Sequence, residues 1–306
     1  MNPRIVWTLL KKTFTQWSED KPFQLGAALA YYTLFSLTPL LLVAIAVAGL
    51  AFGREAAQNQ ILDAIGDIVG IQSARAIQAM IESAGEKPNS GWFATFLGMT
   101  LLLIGAGGVV GQLQDSLNTI WGVVPKGGRG LWGFIKDRFA SFSMVLGVGF
   151  LLLVSLVVSA GLAAVTQLMG GWLPRFAALV YFLDLAVSFA FITFLFALIY
   201  KFIPDVRITW KDVWIGAAMT SFLFSIGKLL IGFYLGHSTV TSIHGAAGSL
   251  VTLLLWVYYS SLIFFFGAEF TQVYASEFGS GVIPTEKAES VALQRRESPP
   301  PEARSL

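Results

Sequence analysis

Apolar residues along this chain gather into six runs, each long enough to cross a bilayer and each bounded by charge. An α-helix rises ~1.5 Å per residue, so about 20 apolar residues bridge the ~30 Å hydrocarbon layer. Runs of that length extend from Ala27 to Phe52, Trp92 to Leu113, Phe139 to Leu162, Ala177 to Ile203, Val213 to Leu235 and Gly248 to Tyr274. They predict an all-α, polytopic membrane protein in which residues 26–278 form a six-helix transmembrane domain.

The polar connections carry patterns of their own. In residues 1–25, Ile5, Val6, Leu9, Leu10, Phe14 and Trp17 recur at helical spacing with Lys11 and Lys12 between them. That pattern fits a helix lying in the membrane interface, or equally a helix packed beneath the protein's own cytoplasmic face. The segment lacks the continuous apolar stretch and small-residue site of a cleaved signal, so we expect it to be retained. Between Arg54 and Gly91, Ile61, Leu62, Ile65, Ile68 and Val69 keep the helical period, and Ile77, Met80 and Ile81 repeat it beyond Gly70. Two short amphipathic helices capping the outer surface are expected there. Residues 279–306 are rich in Glu, Ser, Pro and Arg and include Pro299, Pro300 and Pro301, a composition that predicts a disordered cytoplasmic tail.

Charge sets the orientation, because Lys and Arg are held on the cytoplasmic side during insertion. Of the 20 basic residues, fifteen lie in the N-terminal segment, the second-to-third and fourth-to-fifth connections and the tail. Four, Arg54, Arg75, Lys87 and Arg175, lie on the opposite side, and Lys228 lies inside a span. Both termini are therefore expected in the cytoplasm, with the chain in a bacterial inner membrane. The two three-span halves enter in opposite senses, the topology of an inverted repeat, although no sequence match links them.

Composition narrows the functional classes. Of the 306 residues, 55% are hydrophobic and 12% charged, and the mean hydropathy is +0.70; soluble domains carry roughly 25% charged residues. A net charge of +2 without a basic stripe argues against nucleic acid as a partner. Cysteine is absent, which excludes disulfides and thiolate metal sites. His237 and His244 share a short outer connection without a carboxylate, the setting of solvated loop histidines, so neither a metal nor a cofactor is expected.

Ionisable groups inside spans need partners or water. Asp184 and Lys228 each fall about 12 Å from the outer boundary by helical rise. They are expected to form an ion pair between the fourth and fifth spans or to share a water-filled cavity. Asp115 and Glu269 fall about 34 Å below their outer entry points, near the cytoplasmic boundary. There they either bridge to Arg129, Lys136 or Arg138 or line a polar vestibule, and Asn118, one turn beyond Asp115, can join either network. Gly105, Gly107, Gly108 and Gly111 crowd the second span, Gly107 and Gly111 forming a GxxxG packing motif. Pro39 removes a backbone hydrogen bond from the first span, as a hinge or simply as shape.

Several stretches together are more specific: Ala27-Ala28-Leu29-Ala30-Tyr31-Tyr32-Thr33-Leu34-Phe35-Ser36-Leu37, Leu117-Asn118-Thr119-Ile120-Trp121, Tyr200-Lys201-Phe202-Ile203-Pro204, Gly245-Ala246-Ala247-Gly248-Ser249, Leu255-Trp256-Val257-Tyr258-Tyr259 and Gly267-Ala268-Glu269-Phe270. From Thr13 to about Gly279 the chain resembles the YihY/BrkB family of bacterial inner-membrane proteins. The resemblance implies a six-helix membrane protein and brings no settled activity, since members have carried the labels serum-resistance virulence factor and ribonuclease BN. A ribonuclease needs metal-binding carboxylates or a His/Lys acid-base set in a basic cleft, and these short loops with scattered carboxylates offer neither. No enzyme, and hence no catalytic residue, is expected.

The leading expectation is a transporter or flippase-like protein for a small solute or envelope lipid, working in the lipid bilayer and free to form a homo-oligomer. No G-x-x-x-x-G-K-[ST] occurs, so its energy would come from a gradient or a partner. The competing expectation is a non-catalytic scaffold or envelope-integrity factor that binds partners through its outer cap and tail. Intramembrane hydrolysis is disfavoured, because no G-x-S-x-G is present and no histidine lies inside a span.

Overall fold

The structure, a computed structural model, describes residues 3–69, 71–85, 108–126, 177–237 and 245–291. Its helices are α1 (Pro3–Glu19), α2 (Pro22–Phe52), α3 (Arg54–Val69), α4 (Ile71–Gly85), α5 (108–120), α6 (Ala177–Phe202), α7 (Trp210–His237) and α8 (Gly245–Phe278). Four short strands accompany them: β1 (Val123–Pro125), β2 (Val206–Arg207), β3 (Ile283–Pro284) and β4 (Ala288–Ser290).

Windows in α6 (Leu185–Phe202), α7 (Trp210–Ile231) and α8 (Leu250–Phe278) are long and apolar enough to cross a membrane. At most 33% of any of these windows is buried inside the protein, and large side chains such as Phe222, Leu229, Leu230 and Phe233 point outward. In water that much apolar surface would be costly, whereas acyl chains cover it at no loss. The first run of the sequence lies within α2. The third, and the second up to residue 107, fall outside the described residues.

Local sequence explains how α2 is set off. Lys21 adopts the left-handed conformation (φ 54°), and Pro22 then opens the helix, its ring supplying the helical φ where an N–H would be unpaired anyway. Gly53 (φ 84°) closes the helix with its N–H on the Gly49 carbonyl. Helix α2 runs through Pro39 without interruption, and the imide nitrogen there leaves the Phe35 carbonyl without its usual helical donor.

Leu9 of α1 packs with Phe270 and Val273 of α8, and Ile5 lines the space between α1 and the end of α8, while Trp7 and Phe14 remain exposed on the other side. Helices α3 and α4 lay Leu62, Ile77 and Ile81 against Ile45 of α2 and Leu253 of α8. The main core, around Leu117, Trp121, Phe196, Tyr200, Val213, Ala217, Phe264 and Phe265, joins α5, α6, α7 and α8.

The antiparallel α7–α8 seam is built from one motif used twice. A Cβ placed on Gly216 would lie 1.8 Å from Thr271 Oγ1, and one on Gly267 would lie 1.9 Å from Thr220 Oγ1. Each threonine donates back to the glycine one turn earlier in its own helix, Thr220 to Gly216 at 2.8 Å and Thr271 to Gly267 at 2.7 Å. Every hydroxyl thereby finds an acceptor while the two backbones touch.

The tail departs from expectation. Rather than being disordered from Gly279 onward, it pairs antiparallel through Ser290: Ile283–Pro284 on Val206–Arg207, and Ala288–Ser290 on Val123–Pro125. The Val282-Ile283-Pro284 run supplies apolar contacts, Val282 and Ala288 joining the main core, and the backbone groups of two loops receive partners that water would otherwise supply. Residues 292–306 lie outside the described part. We call the end of the bundle that carries this tail the basal end.

Candidate functional site

The most unusual chemistry lies where α8 meets the turn between α1 and α2. The α8 sequence Gly267-Ala268-Glu269-Phe270-Thr271-Gln272-Val273 turns Gly267 and Thr271 toward α7 and Phe270 and Val273 toward α1. Glu269 is only 1% exposed. Its carboxyl lies beside that of Asp20, just past the end of α1, with the charge of Glu19 nearby. Its Oε2 has no hydrogen-bond partner, and neither do Gln272 Oε1, one turn along α8, and Trp17 Nε1. The Trp17 ring is held edge-on by Phe23 at 5.7 Å and Phe266 at 5.9 Å, so it closes one side of the pair. Burial holds the Asp20 carboxyl above its ordinary value of 3.8; the hydrogen bond to Glu269 opposes the rise and the charge of Glu19 adds to it.

Between α1 and α8 lies a cavity of about 270 Å³ whose lining includes Lys11, Lys12, Gln16, Gln272 and Glu277. Lys12 pairs with Glu277 at its edge. The cavity thus borders Gln272, one helical turn from Glu269.

A second polar centre ties the loops at the basal end. Asn118 donates from Nδ2 to Asp205 Oδ2 at 3.1 Å and accepts the Asp205 backbone N–H at Oδ1 at 2.8 Å. Gln114 Nε2 donates to the same carboxylate oxygen at 3.2 Å, and the Asp205 carbonyl accepts the N–H of Thr285 in the tail at 3.0 Å. At the start of α7, Asp212 Oδ2 accepts from Thr209 Oγ1 at 2.8 Å, Ser280 N at 3.0 Å and Ser280 Oγ at 2.9 Å. Within the main core, Tyr200 of α6 donates to the Phe264 carbonyl at 2.8 Å and contacts Thr220 Oγ1 at 3.1 Å.

The residues singled out in the sequence fall into different settings. Glu269 and Asn118 are buried and occupy separate networks. Asp115 is exposed on α5, its carbonyl accepting the Thr119 hydroxyl. Lys228 is exposed on α7, flanked by Leu229 and Leu230. Asp184 lies in α6, but its side chain is outside the described residues, as are Gly107, Arg129, Lys136, Arg138 and His244. Gly111 is half-buried on α5, and Gly108, just before it, faces Tyr32 of α2 so closely that a Cβ would lie 3.0 Å from the ring. Among the described residues no group of three His, Cys, Asp or Glu is placed to hold a metal ion.

Sequence reasoning missed Asp20, Gln272, Asp205, Asp212 and the paired Gly-x-x-x-Thr motifs. Asp20 had one visible sign, its place directly before the Lys21-Pro22 break. The motifs were legible as the same small-x-x-x-small spacing in two apolar runs.

Comparison with known proteins adds the family context. The family profile described as virulence factor BrkB matches residues 13–291. A UPF0761 membrane protein of Tolumonas auensis is 26% identical over 267 residues, 83% of this chain and 81% of that protein. A UPF0761 membrane protein of Xanthomonas campestris pv. campestris is 30% identical over 259 residues, 82% of this chain but 56% of its own length. One of Alkalilimnicola ehrlichii is 26% identical over 258 residues, 84% of this chain and again 56% of the relative. The chain thus spans little more than half the length of the last two. No solved structure matches significantly.

Proposed function

This chain belongs to the virulence factor BrkB family of membrane proteins, and on that premise we propose that it is a transporter or flippase-like protein moving a small solute or envelope lipid across the bacterial inner membrane. The observation that carries the reading is Glu269, a carboxyl buried on a membrane-crossing helix whose charged neighbour is another carboxyl. Isolated charge in such a place costs at least ~2.5 kcal/mol even on the mildest scale. A structural acid would be expected to face a cation, whereas a group that exchanges a proton or cargo during a cycle is kept available.

In this reading the chain crosses six times with both termini in the cytoplasm, and the basal end is the cytoplasmic one. Helices α3 and α4 then cap the outer face, and the exposed Trp7 and Phe14 of α1 enter the inner leaflet's interface. Asp184 and Lys228 belong to the polar pathway or pair across it, and the protein is not an enzyme. A comparison of lipid and metabolite content on the two membrane faces, in cells with and without the protein, tests the proposal. A change confined to one compound class identifies the cargo; unchanged distributions refute transport.

The scaffold reading draws support from the tail, which is folded onto two loops as far as Ser290 and so presents a defined surface. The two readings part on substitution. Alanine at Asp184, Lys228 and Glu269 abolishes the function of a transporter, whereas a scaffold survives those changes and fails when residues 54–91 are deleted.

A further inference from the structure

We propose that the Asp20–Glu269 carboxyl pair is the proton-binding site of the protein: it holds one exchangeable proton, and losing that proton loosens α1 from α8. The inference rests on the transport reading and names its coupling ion.

The setting favours a proton. Two ionised carboxylates are acceptors only and repel each other, whereas one proton lets such a pair share a hydrogen bond. Glu269 is 1% exposed, with almost no water-facing surface through which its charge could be solvated, and the Asp20 carboxyl lies beside it. With one proton the pair carries a single shared charge. Without it, two carboxylates stand together with Glu19 beside them.

The charged groups on the surrounding elements do not offset this. Helix α2 contains no Asp, Glu, Lys or Arg, and Lys21 before it is exposed. On α1, Lys12 is engaged by Glu277 of α8, and Lys11 and Arg4 lie on its exposed surface. The charged residues of α7 at this end are Lys211, exposed, and Asp212, committed to Thr209 and Ser280. Asp205 is committed to Asn118 and Gln114. A proton is therefore the neutralising species that the described residues leave to the pair.

Two further observations point to exchange. Glu269 Oε2 is fully buried and unpartnered, as is Gln272 Oε1 one turn away, so acceptor atoms wait where an incoming proton or hydronium arrives. The open cavity between α1 and α8 borders Gln272. Deprotonation transfers the shared proton to water there, and the resulting repulsion acts across the α1–α8 contact that Leu9, Phe270 and Val273 hold together.

The test uses the full chain in lipid nanodiscs. Infrared difference spectra across a pH titration are expected to contain a protonated-carboxyl C=O band that shifts in D2O, disappears in Glu269→Gln and is displaced in Asp20→Asn, with Asp205→Asn as a control that keeps it. Because the chain has no native cysteine, spin labels at Thr8→Cys and Ser276→Cys report the α1–α8 distance. That distance is expected to lengthen as pH rises in the otherwise native protein and to stay short at every pH in Glu269→Gln. Absence of the band, its persistence in both variants, or its removal by sodium at constant pH overturns the proton site and leaves transport to be driven by another ion. A band and a distance change that behave as expected, together with unchanged compound distributions in cells, would retain the proton site and remove the transport reading.

Discussion

Helix α8 has two unlike faces at the same depth. Toward α7 it offers Gly267 and Thr271, which interlock with Thr220 and Gly216 so closely that a Cβ on either glycine would collide, while both threonine hydroxyls keep an acceptor. Toward α1 it offers Glu269 and Gln272, where carboxyl meets carboxyl, acceptor atoms lack donors and a cavity opens to solvent. The first contact gains from dispersion at short range and depends little on pH or salt. The second has its balance set by a proton. One helix thus joins a fixed partner to a partner that can be released, the division of labour a moving membrane protein needs.

The comparison is broken most severely on the α7 side. Gly216→Ala puts a methyl group inside the van der Waals radius of Thr271, and about 1–3 kcal/mol of stability should be lost in a detergent or urea unfolding titration. Adding Thr271→Ala should restore most of that loss, and a purely additive cycle would mean that the two residues do not touch in the folded protein. Next comes Asn118→Ala, which deprives the buried Asp205 carboxylate and N–H of partners and should cost about 1–3 kcal/mol by the same titration; an unchanged midpoint would show that the clamp is replaced by water.

On the α1 side the signature is a slope with pH rather than a fixed loss. The Asp20 carboxyl is held above its ordinary value of 3.8, so its contribution to stability is complete below pH 3.8 and is lost as pH rises through the folded-state value. Asp20→Asn should flatten the stability profile over that window, and an unaltered profile would assign the proton elsewhere. The smallest effect belongs to Lys12→Ala. The Lys12–Glu277 pair is half-exposed, with side-chain exposures of 51% and 44%. Its removal should cost no more than about 1 kcal/mol, and less at high salt.

Much of this architecture was written in local pattern. The apolar runs of α6, α7 and α8 were legible because lipid imposes length and composition directly on a span, and α1, α3 and α4 were legible from the helical recurrence of their apolar residues. Glu269 and Asn118 stood out because polar groups beside long apolar runs demand an explanation. Their partners did not: Asp20 and Asp205 lie in other parts of the chain, and no spacing rule links a residue to what tertiary packing places against it. The tail was misjudged for a related reason. Its Glu, Ser and Pro content argues for disorder, yet a short apolar run at Val282–Pro284 met the edge of one loop and Ala288–Ser290 that of another. Lys228 is exposed on α7 beside Leu229 and Leu230, and the side chain of its expected partner Asp184 lies outside the described residues.

The strands formed by residues 283–290 also have a consequence for biogenesis. They follow α8 in the chain, so a ribosome makes them after every described helix, yet they secure Val123–Pro125 and Val206–Arg207, made long before. The basal surface therefore cannot mature until residues 283–290 have been made, and its last contacts are long-range ones of the slow-forming kind. A nascent chain arrested after Phe278 should hold its membrane helices and leave both loops accessible to protease, whereas release of a chain reaching Val291 should close them.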